Sequence, residues 1–277
     1  MKVCVLLAAY NGAAYIRQQI DSILQQDYPH IQLVLSDDGS QDGTQEILAE
    51  YEDKYPGKVI WYQSGKRFGK PQTHFMHLVR IFHDANYIMF SDQDDVWHPD
   101  KVSKTLGKMR EIEIDSDVPA LVHTDLRVVD QNLNVIAPSF CEYSNINGDR
   151  LLLNQMLVQD VVTGCTVMIN HALAALTDVA VPDDAVVMHD WWLGLLAAAC
   201  GVAGFLNEPT IDYRQHGTNS VGAQKVRSIG YLWKRLSSRK RMYDMLTDAA
   251  VQAEAFLQCY DHLLDTKERK LLQVTGK

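Results

Sequence analysis

The feature that most constrains this chain is an alternation in its first third, where short continuous apolar runs take turns with residues at helical spacing. Val3-Cys-Val-Leu-Leu-Ala-Ala9 is apolar on both faces of a strand, which suits a strand covered on both sides, as in a parallel sheet. After Asn11-Gly12, the positions Ala13, Ile16, Ile20, Ile23 and Leu24 predict a helix of about 14 residues that stops before Tyr28-Pro29. Ile31-Gln-Leu-Val-Leu35 repeats the strand, and Ile47, Leu48 and Tyr51 repeat the helix, which ends near Pro56-Gly57. Val59-Ile-Trp-Tyr62 follows, then a Gly/Lys-rich loop from 64 to 70, a helix through Phe75, Leu78, Val79 and Phe82, and the strand Tyr87-Ile-Met-Phe90. This order predicts an α/β fold: a doubly wound, mostly parallel central sheet flanked by helices, with its ligand crevice at the carboxyl ends of the strands. Beyond Pro119, strand-like Ala120 to His123 and Thr166 to Ile169 alternate with irregular stretches that complete the same domain, over 1–225. Residues 226–277 read as a helical C-terminal segment, free of Gly and Pro from Arg241 to Leu272.

At 47% hydrophobic and 22% charged over 277 residues, the chain is globular rather than disordered, and its net charge of −9 argues against a nucleic-acid partner. No stretch reaches the roughly 20 apolar residues of a membrane span, and the start meets Asn11 too soon for a signal peptide, so a cytoplasmic protein is expected. The five scattered cysteines then read as reduced, mostly buried thiols. Charge is uneven. Lys225, Arg227, Lys234, Arg235, Arg239, Lys240 and Arg241 share a segment with no acidic residue, alongside Ile229, Tyr231, Trp233 and Leu236. Such a segment fits peripheral contact with an anionic bilayer on the inner face of the plasma membrane; it equally fits a helix packed on the domain, or one that pairs two copies in a homodimer.

Two acidic turns end predicted strands. Asp92, Asp94 and Asp95 follow one where sheet packing asks for no carboxylate, and their repulsion calls for a cation. Hard oxygen ligands suit Mg²⁺ or Mn²⁺ completed by substrate phosphates. The alternative is a loop of solvated or helix-capping aspartates. Ser36-Asp37-Asp38-Gly39-Ser40 ends a second strand of the same sheet, so both turns should face one crevice, where a carboxylate can accept from a ribose hydroxyl or a base N–H.

Leu7-Ala-Ala-Tyr-Asn-Gly12, Ser36-Asp-Asp-Gly-Ser-Gln-Asp-Gly-Thr44 and Asp92-Gln-Asp-Asp-Val-Trp-His-Pro-Asp-Lys101, in that order, resemble family-2 glycosyltransferases of the GT-A fold. With His189-Asp-Trp-Trp192 and Tyr213-Arg-Gln-His-Gly-Thr-Asn-Ser220 downstream, the chain is similar to the bacterial rhamnosyltransferase-like members. The resemblance covers about 2–222. It implies transfer of a sugar, rhamnose among the candidates, from a nucleoside diphosphate sugar to a hydroxyl of a glycan or lipid-linked glycan acceptor in surface-polysaccharide synthesis. By this analogy Asp38 meets the base or ribose, with Tyr10 walling the pocket and Ala8 and Asn11 flanking it. Asp92 and Asp94 correspond to the Asp-x-Asp pair, Asp94 as direct metal ligand and Asp92 nearer the ribose or metal waters. The role of Gln93 between them does not follow from the analogy.

Departure of a diphosphate needs its developing charge stabilised, and the acceptor must lose a proton to a nearby base. The analogy gives the base role to Asp190, in an inverting single displacement; its plain alternative is a helix cap. His216, in a Gly- and Asn-containing loop, is implied as a metal or phosphate contact, and Arg214 and Lys70 are candidates for phosphate oxygens. Trp191 and Trp192 read either as a stacking platform for an acceptor sugar or as core, while Asp125 and Gly164 lie in segments that resemble the family's near the acceptor. Two readings compete with transfer: a nucleotidyltransferase, and a noncatalytic nucleotide-sugar-binding module.

Overall fold

The computed structural model of the protein describes residues 1–182, 185–216 and 239–276, with the helical backbone alone for 239–245. The basic run at 225–241 therefore lies outside the described residues, apart from that backbone at 239–241. No helix among the described residues is long and apolar enough to cross a membrane. All five cysteines are free, Cys4 and Cys165 fully buried.

The expected alternation is present: β1 (Val3–Ala9), α1 (Ile16–Leu24), β2 (Ile31–Asp37), α2 (Thr44–Lys54), β3 (Val59–Tyr62), α3 (Pro71–Phe82) and β4 (Tyr87–Ser91). Then follow β5 (Val96–Trp97), α4 (Lys101–Ile112), β6 (Ala120–Asp130), β7 (Val135–Ala137), the short α5 (Phe140–Ser144) and α6 (Leu153–Met156), β8 (Met168–Asn170), α7 (His171–Ala175), α8 (His189–Cys200) and β9 (Val202–Gln215). α9 (Arg239–Tyr260) and α10 (Thr266–Thr275) close the chain.

The strands form one sheet in the order β3-β2-β1-β4-β8-β6-β9-β5, with β7 on β6. β3, β2, β1 and β4 are parallel, as the sequence predicts. Past β4 the sheet turns mixed: β8 runs antiparallel to β4 and β6, β9 parallel to β6, and β5 antiparallel to β9. The mostly parallel expectation thus holds for one half, where β1 to β4 follow one another through a single helix each.

Strand period puts alternate β1 residues into two cores. Val3, Val5 and Leu7 pack with α1, α2 and α4, whereas Cys4 and Leu6 share the other layer with α3, α8 and the C-terminal helices. Phe256, Tyr260 and Leu272 belong to that second core. The long Gly- and Pro-free stretch is nevertheless two helices, not one. Asp265 accepts from Glu268 N at 2.7 Å while Glu268 reaches back to Asp265 N at 2.8 Å, a capping box that starts α10 afresh.

Trp192 is fully buried, with its ring 5.5 Å from Phe256 and 6.1 Å from Tyr260, so it offers no face to an acceptor sugar and takes the core alternative. Trp192→Ala should therefore cost about 3–5 kcal/mol in urea unfolding, while the folded fraction keeps its activity. Unchanged stability with lost transfer would return Trp192 to the site.

Candidate active site

The carboxyl ends of β1, β2 and β4 converge, and the loops leaving them are tied together by side chain to backbone bonds. Asn11, at φ 50°, donates its N–H to Ser40 Oγ at 2.8 Å and accepts from Gln41 N at 2.9 Å. Gly12 N and Ala13 N donate to Thr44 Oγ1 and Asp42 Oδ2 at 2.9 and 3.0 Å. Asn11 thus clamps the two loops together. In the acidic turn Asp37 is the turn former, accepting from Gly39 N, Ser40 N and Gln45 Nε2. Asp38 is buried and faces the 64–70 loop: one oxygen accepts from Phe68 N and the other from Gly69 N at 2.8 Å. Tyr10 is exposed, with its hydroxyl accepting from Arg67 Nη2 at 2.8 Å and the guanidinium 5.0 Å over its ring. Ala8 sits half-buried at the end of β1, and Lys70 is exposed just ahead of α3.

Gln93 finds its role here. Its Oε1 accepts from Tyr10 N at 2.7 Å and its Nε2 donates to Tyr10 O at 3.0 Å, a two-bond strap between the β1 loop and the second acidic turn. A side chain at Gly12 would collide with it, its Cβ falling 2.4 Å from Gln93 Oε1.

The second acidic turn divides its work. Asp94 Oδ2 lies 2.7 Å from His216 Nε2, and the imidazole stacks on Tyr15 at 4.9 Å. Burial, then repulsion from Asp94 and Asp190, pushes the half-buried Asp92 up to about 7. Asp95 is fully buried beneath them; it accepts from Arg214 N at 3.0 Å, and burial and its two acidic neighbours hold it well above the usual carboxylate range. A carboxylate oxygen from each of Asp92 and Asp95 and the Cys165 sulfur lie within 4.8 Å of one another.

Arg214 is placed otherwise than the sequence suggests. Its residue is 2% exposed, and its guanidinium donates to Asp94 O, Gln131 O and Gln18 Oε1 at 2.6–2.7 Å while lying 4.7 Å over Tyr15. It is a strut that fixes the second acidic turn, and its burial argues against a phosphate contact.

Asp190 comes from across the sheet, in the first turn of α8. Met188, not Asp190, is the N-cap, so the plain capping alternative is not realised. Its Oδ1 accepts from Trp191 N at 2.9 Å, and a Cβ at Gly164 would fall 3.3 Å from Oδ2. That same Cβ would fall 2.7 Å from His189 Nε2, so the absence of a side chain at Gly164 makes room for both groups. His189 stacks on Phe75 at 4.4 Å, and burial lowers its pKa, which favours a neutral ring. Trp191 is largely buried, its indole N–H donating to Met156 O at 2.6 Å. A further carboxylate, Asp160, is held above its usual range by burial and by Asp190; no pattern in the sequence marks it. Asp125 is buried and structural, accepting from Leu126 N, Cys141 N and Ser139 Oγ at 2.8, 3.2 and 2.5 Å.

Comparisons with known proteins give the family and the fold. Residues 4–175 match the sequence profile of glycosyl transferase family 2. The dTDP-rhamnosyl transferase RfbG of Shigella flexneri is 27% identical over 226 residues, 78% of this chain and 74% of that protein. Among solved structures, S. aureus TarS 1–349 in complex with UDP superposes with a TM-score of 0.60 at 16% identity, covering 99% of this chain and 87% of that one. The mannosyltransferase PcManGT from Pyrobaculum calidifontis, in complex with GDP-Man and Mn²⁺, does so with 0.60 at 17%, covering 99% and 73%. At these identities the two superpositions establish the GT-A fold alone.

Proposed function

The chain belongs to glycosyl transferase family 2, and from that premise we propose that it is an inverting, metal-assisted transferase that moves a sugar from a nucleoside diphosphate sugar to an acceptor hydroxyl in bacterial surface-polysaccharide synthesis. The observation that carries this reading is that the second acidic turn and the start of α8 approach the same short segment: an Asp92 oxygen lies within 4.8 Å of the Cys165 sulfur, and a Cβ at Gly164 would fall 3.3 Å from Asp190 Oδ2. Likeness to a dTDP-rhamnosyl transferase supports dTDP-rhamnose as first donor to try, and the UDP and GDP-Man complexes support a nucleotide at this crevice.

The donor set suits Mg²⁺ or Mn²⁺. Asp92 and Asp94 supply hard oxygens, their mutual repulsion is what a cation relieves, and His216 Nε2 at 2.7 Å from Asp94 adds an imidazole. Such an ion supplies Lewis-acid stabilisation of the departing diphosphate. In this reading Asp38 accepts from a base or ribose donor; its partners in the structure are the main-chain amides of Phe68 and Gly69, so nucleotide entry would exchange those bonds or add to them. Tyr10 and Arg67, stacked at the rim, wall that end. Asp190, in the first turn of α8, takes the acceptor proton at a carboxylate oxygen. Residues 1–225 would carry this chemistry, with 226–277 as a C-terminal segment whose basic run would meet a membrane surface or a second copy.

The direct test is thermal stabilisation by dTDP-, UDP- and GDP-sugars with and without Mn²⁺. One donor at about a hundred times its Kd should add roughly 2.7 kcal/mol, and only with metal present. Equal stabilisation without metal would sink the metal assignment.

A further inference from the structure

In the Gly/Lys-rich loop at 64–70, Phe68 is the one residue with a hydrophobic side chain. Its ring lies on that of His74 in α3, with centroids 4.4 Å apart and planes 12° from parallel. His74 is buried, and its Nε2 sits 2.7 Å from Ser36 Oγ near the end of β2. Burial lowers its pKa to about 4, so near neutral pH Phe68 meets an uncharged ring. His77, one turn further along α3, lies 4.9 Å from Phe68 and bonds the Tyr62 hydroxyl at 3.0 Å, at the end of β3. The side chain of Phe68 is thus held by groups that are themselves tied to β2 and β3.

Asp38, two residues past Ser36, closes the circuit. One of its oxygens accepts from Phe68 N and the other from Gly69 N at 2.8 Å. A carboxylate has about four lone-pair sites, so two amides fix its orientation and leave sites for a donor on a ligand. The loop also places Arg67 on Tyr10, its Nη2 donating to the hydroxyl at 2.8 Å. Phe68 therefore sits between the loop's two attachments to the residues proposed for the nucleotide. Covering an apolar ring from water does not require the neighbouring amides to end on a carboxylate.

We propose that Phe68 and His74 are positioning residues for the donor: their stack seats the 64–70 loop so that its amides fix the Asp38 carboxylate for the nucleotide. This rests on the transferase reading, and in this role neither ring need touch the donor.

Titration calorimetry of the full chain with dTDP, UDP and GDP in the presence of Mn²⁺ tests it. Phe68 is half-buried on a loop, so Phe68→Ala should fold, and it should weaken the nucleotide that wild type binds by roughly tenfold or more. Phe68→Tyr keeps a ring on His74 and should recover most of that affinity. Because Phe68 acts through Asp38, adding Phe68→Ala to Asp38→Asn should weaken binding no further than Asp38→Asn alone. Additive losses would overturn the proposal, as would a Phe68→Ala variant that melts lower but binds nucleotide like wild type or more tightly. A wild type that binds none of the three nucleotides would instead overturn the transferase reading, and this role with it.

Discussion

Asp190→Asn should leave the fold and donor binding intact while lowering kcat for transfer by roughly 10²–10⁴-fold, the usual worth of a positioned general base. The substitution keeps shape and the hydrogen bond that Oδ1 accepts from Trp191 N at 2.9 Å, and it adds no bulk against Gly164. It removes the negative charge and the lone-pair basicity that a proton from the acceptor requires. A purely structural role would leave melting temperature and turnover both near wild type, because the amide keeps the bond to Trp191 N. Donor KM separates the two cases further. If Asp190 acts on the acceptor alone, donor KM stays put while the pH profile of kcat loses its acid limb. A variant with wild-type kcat would end the assignment, and a donor titration with unchanged affinity beside lost transfer would exclude the noncatalytic binding module for the wild type.

Much of this site is legible in the residues because strand ends are legible. An apolar run followed by Asp-Asp-Gly or Asp-Gln-Asp-Asp marks where a parallel strand stops, and parallel strands stop on one side of a sheet. Asp38, Asp92 and Asp94 come together for that reason alone. What stays hidden are groups whose roles depend on non-local partners. Gln93 straps Tyr10 across 83 residues, a distance at which no local pattern operates. Arg214 reads from the sequence as a candidate phosphate contact, yet Asp94 O, Gln131 O and Gln18 Oε1 accept from it once β9 lies beside β6. Asp160 has the same difficulty, since only the fold sets it against Asp190. By contrast, the break before α10 is written locally in Asp265 and Glu268, a capping box that the even helical composition of the segment masks. The mixed half of the sheet is obscure for a physical reason as well: β5, β7 and β8 are two or three residues long, too short for any period to register.

Asp94→Asn should separate stability from function in the opposite direction to a core substitution. In wild type, the charge of Asp94 helps to hold both Asp92 and Asp95 above their ordinary range, second only to burial for each. A carboxylate whose folded pKa is raised to about 7 binds a proton in the native state that the unfolded chain has lost above about 4. Native stability therefore declines as pH rises through about 4 to 7, and the metal-free protein should be more stable at pH 5 than at pH 8. Replacing Asp94 by Asn removes part of that repulsion and keeps an amide within reach of His216 Nε2, now 2.7 Å from Oδ2. The metal-free variant should thus melt at or above the wild-type temperature at pH 8, with a flatter pH dependence. Function moves the other way. Losing one of the proposed ligands removes a share of the several kcal/mol that a Lewis acid contributes, so transfer should fall on the order of a thousandfold, about 4 kcal/mol. Stabilisation by Mn²⁺ with donor should disappear as well. A variant that binds metal and donor like wild type would remove Asp94 from the ligand set; one that melts lower without metal at pH 8 would show that the His216 pairing outweighs the repulsion, and that the acidic turn is held together by its own contacts rather than waiting on a cation.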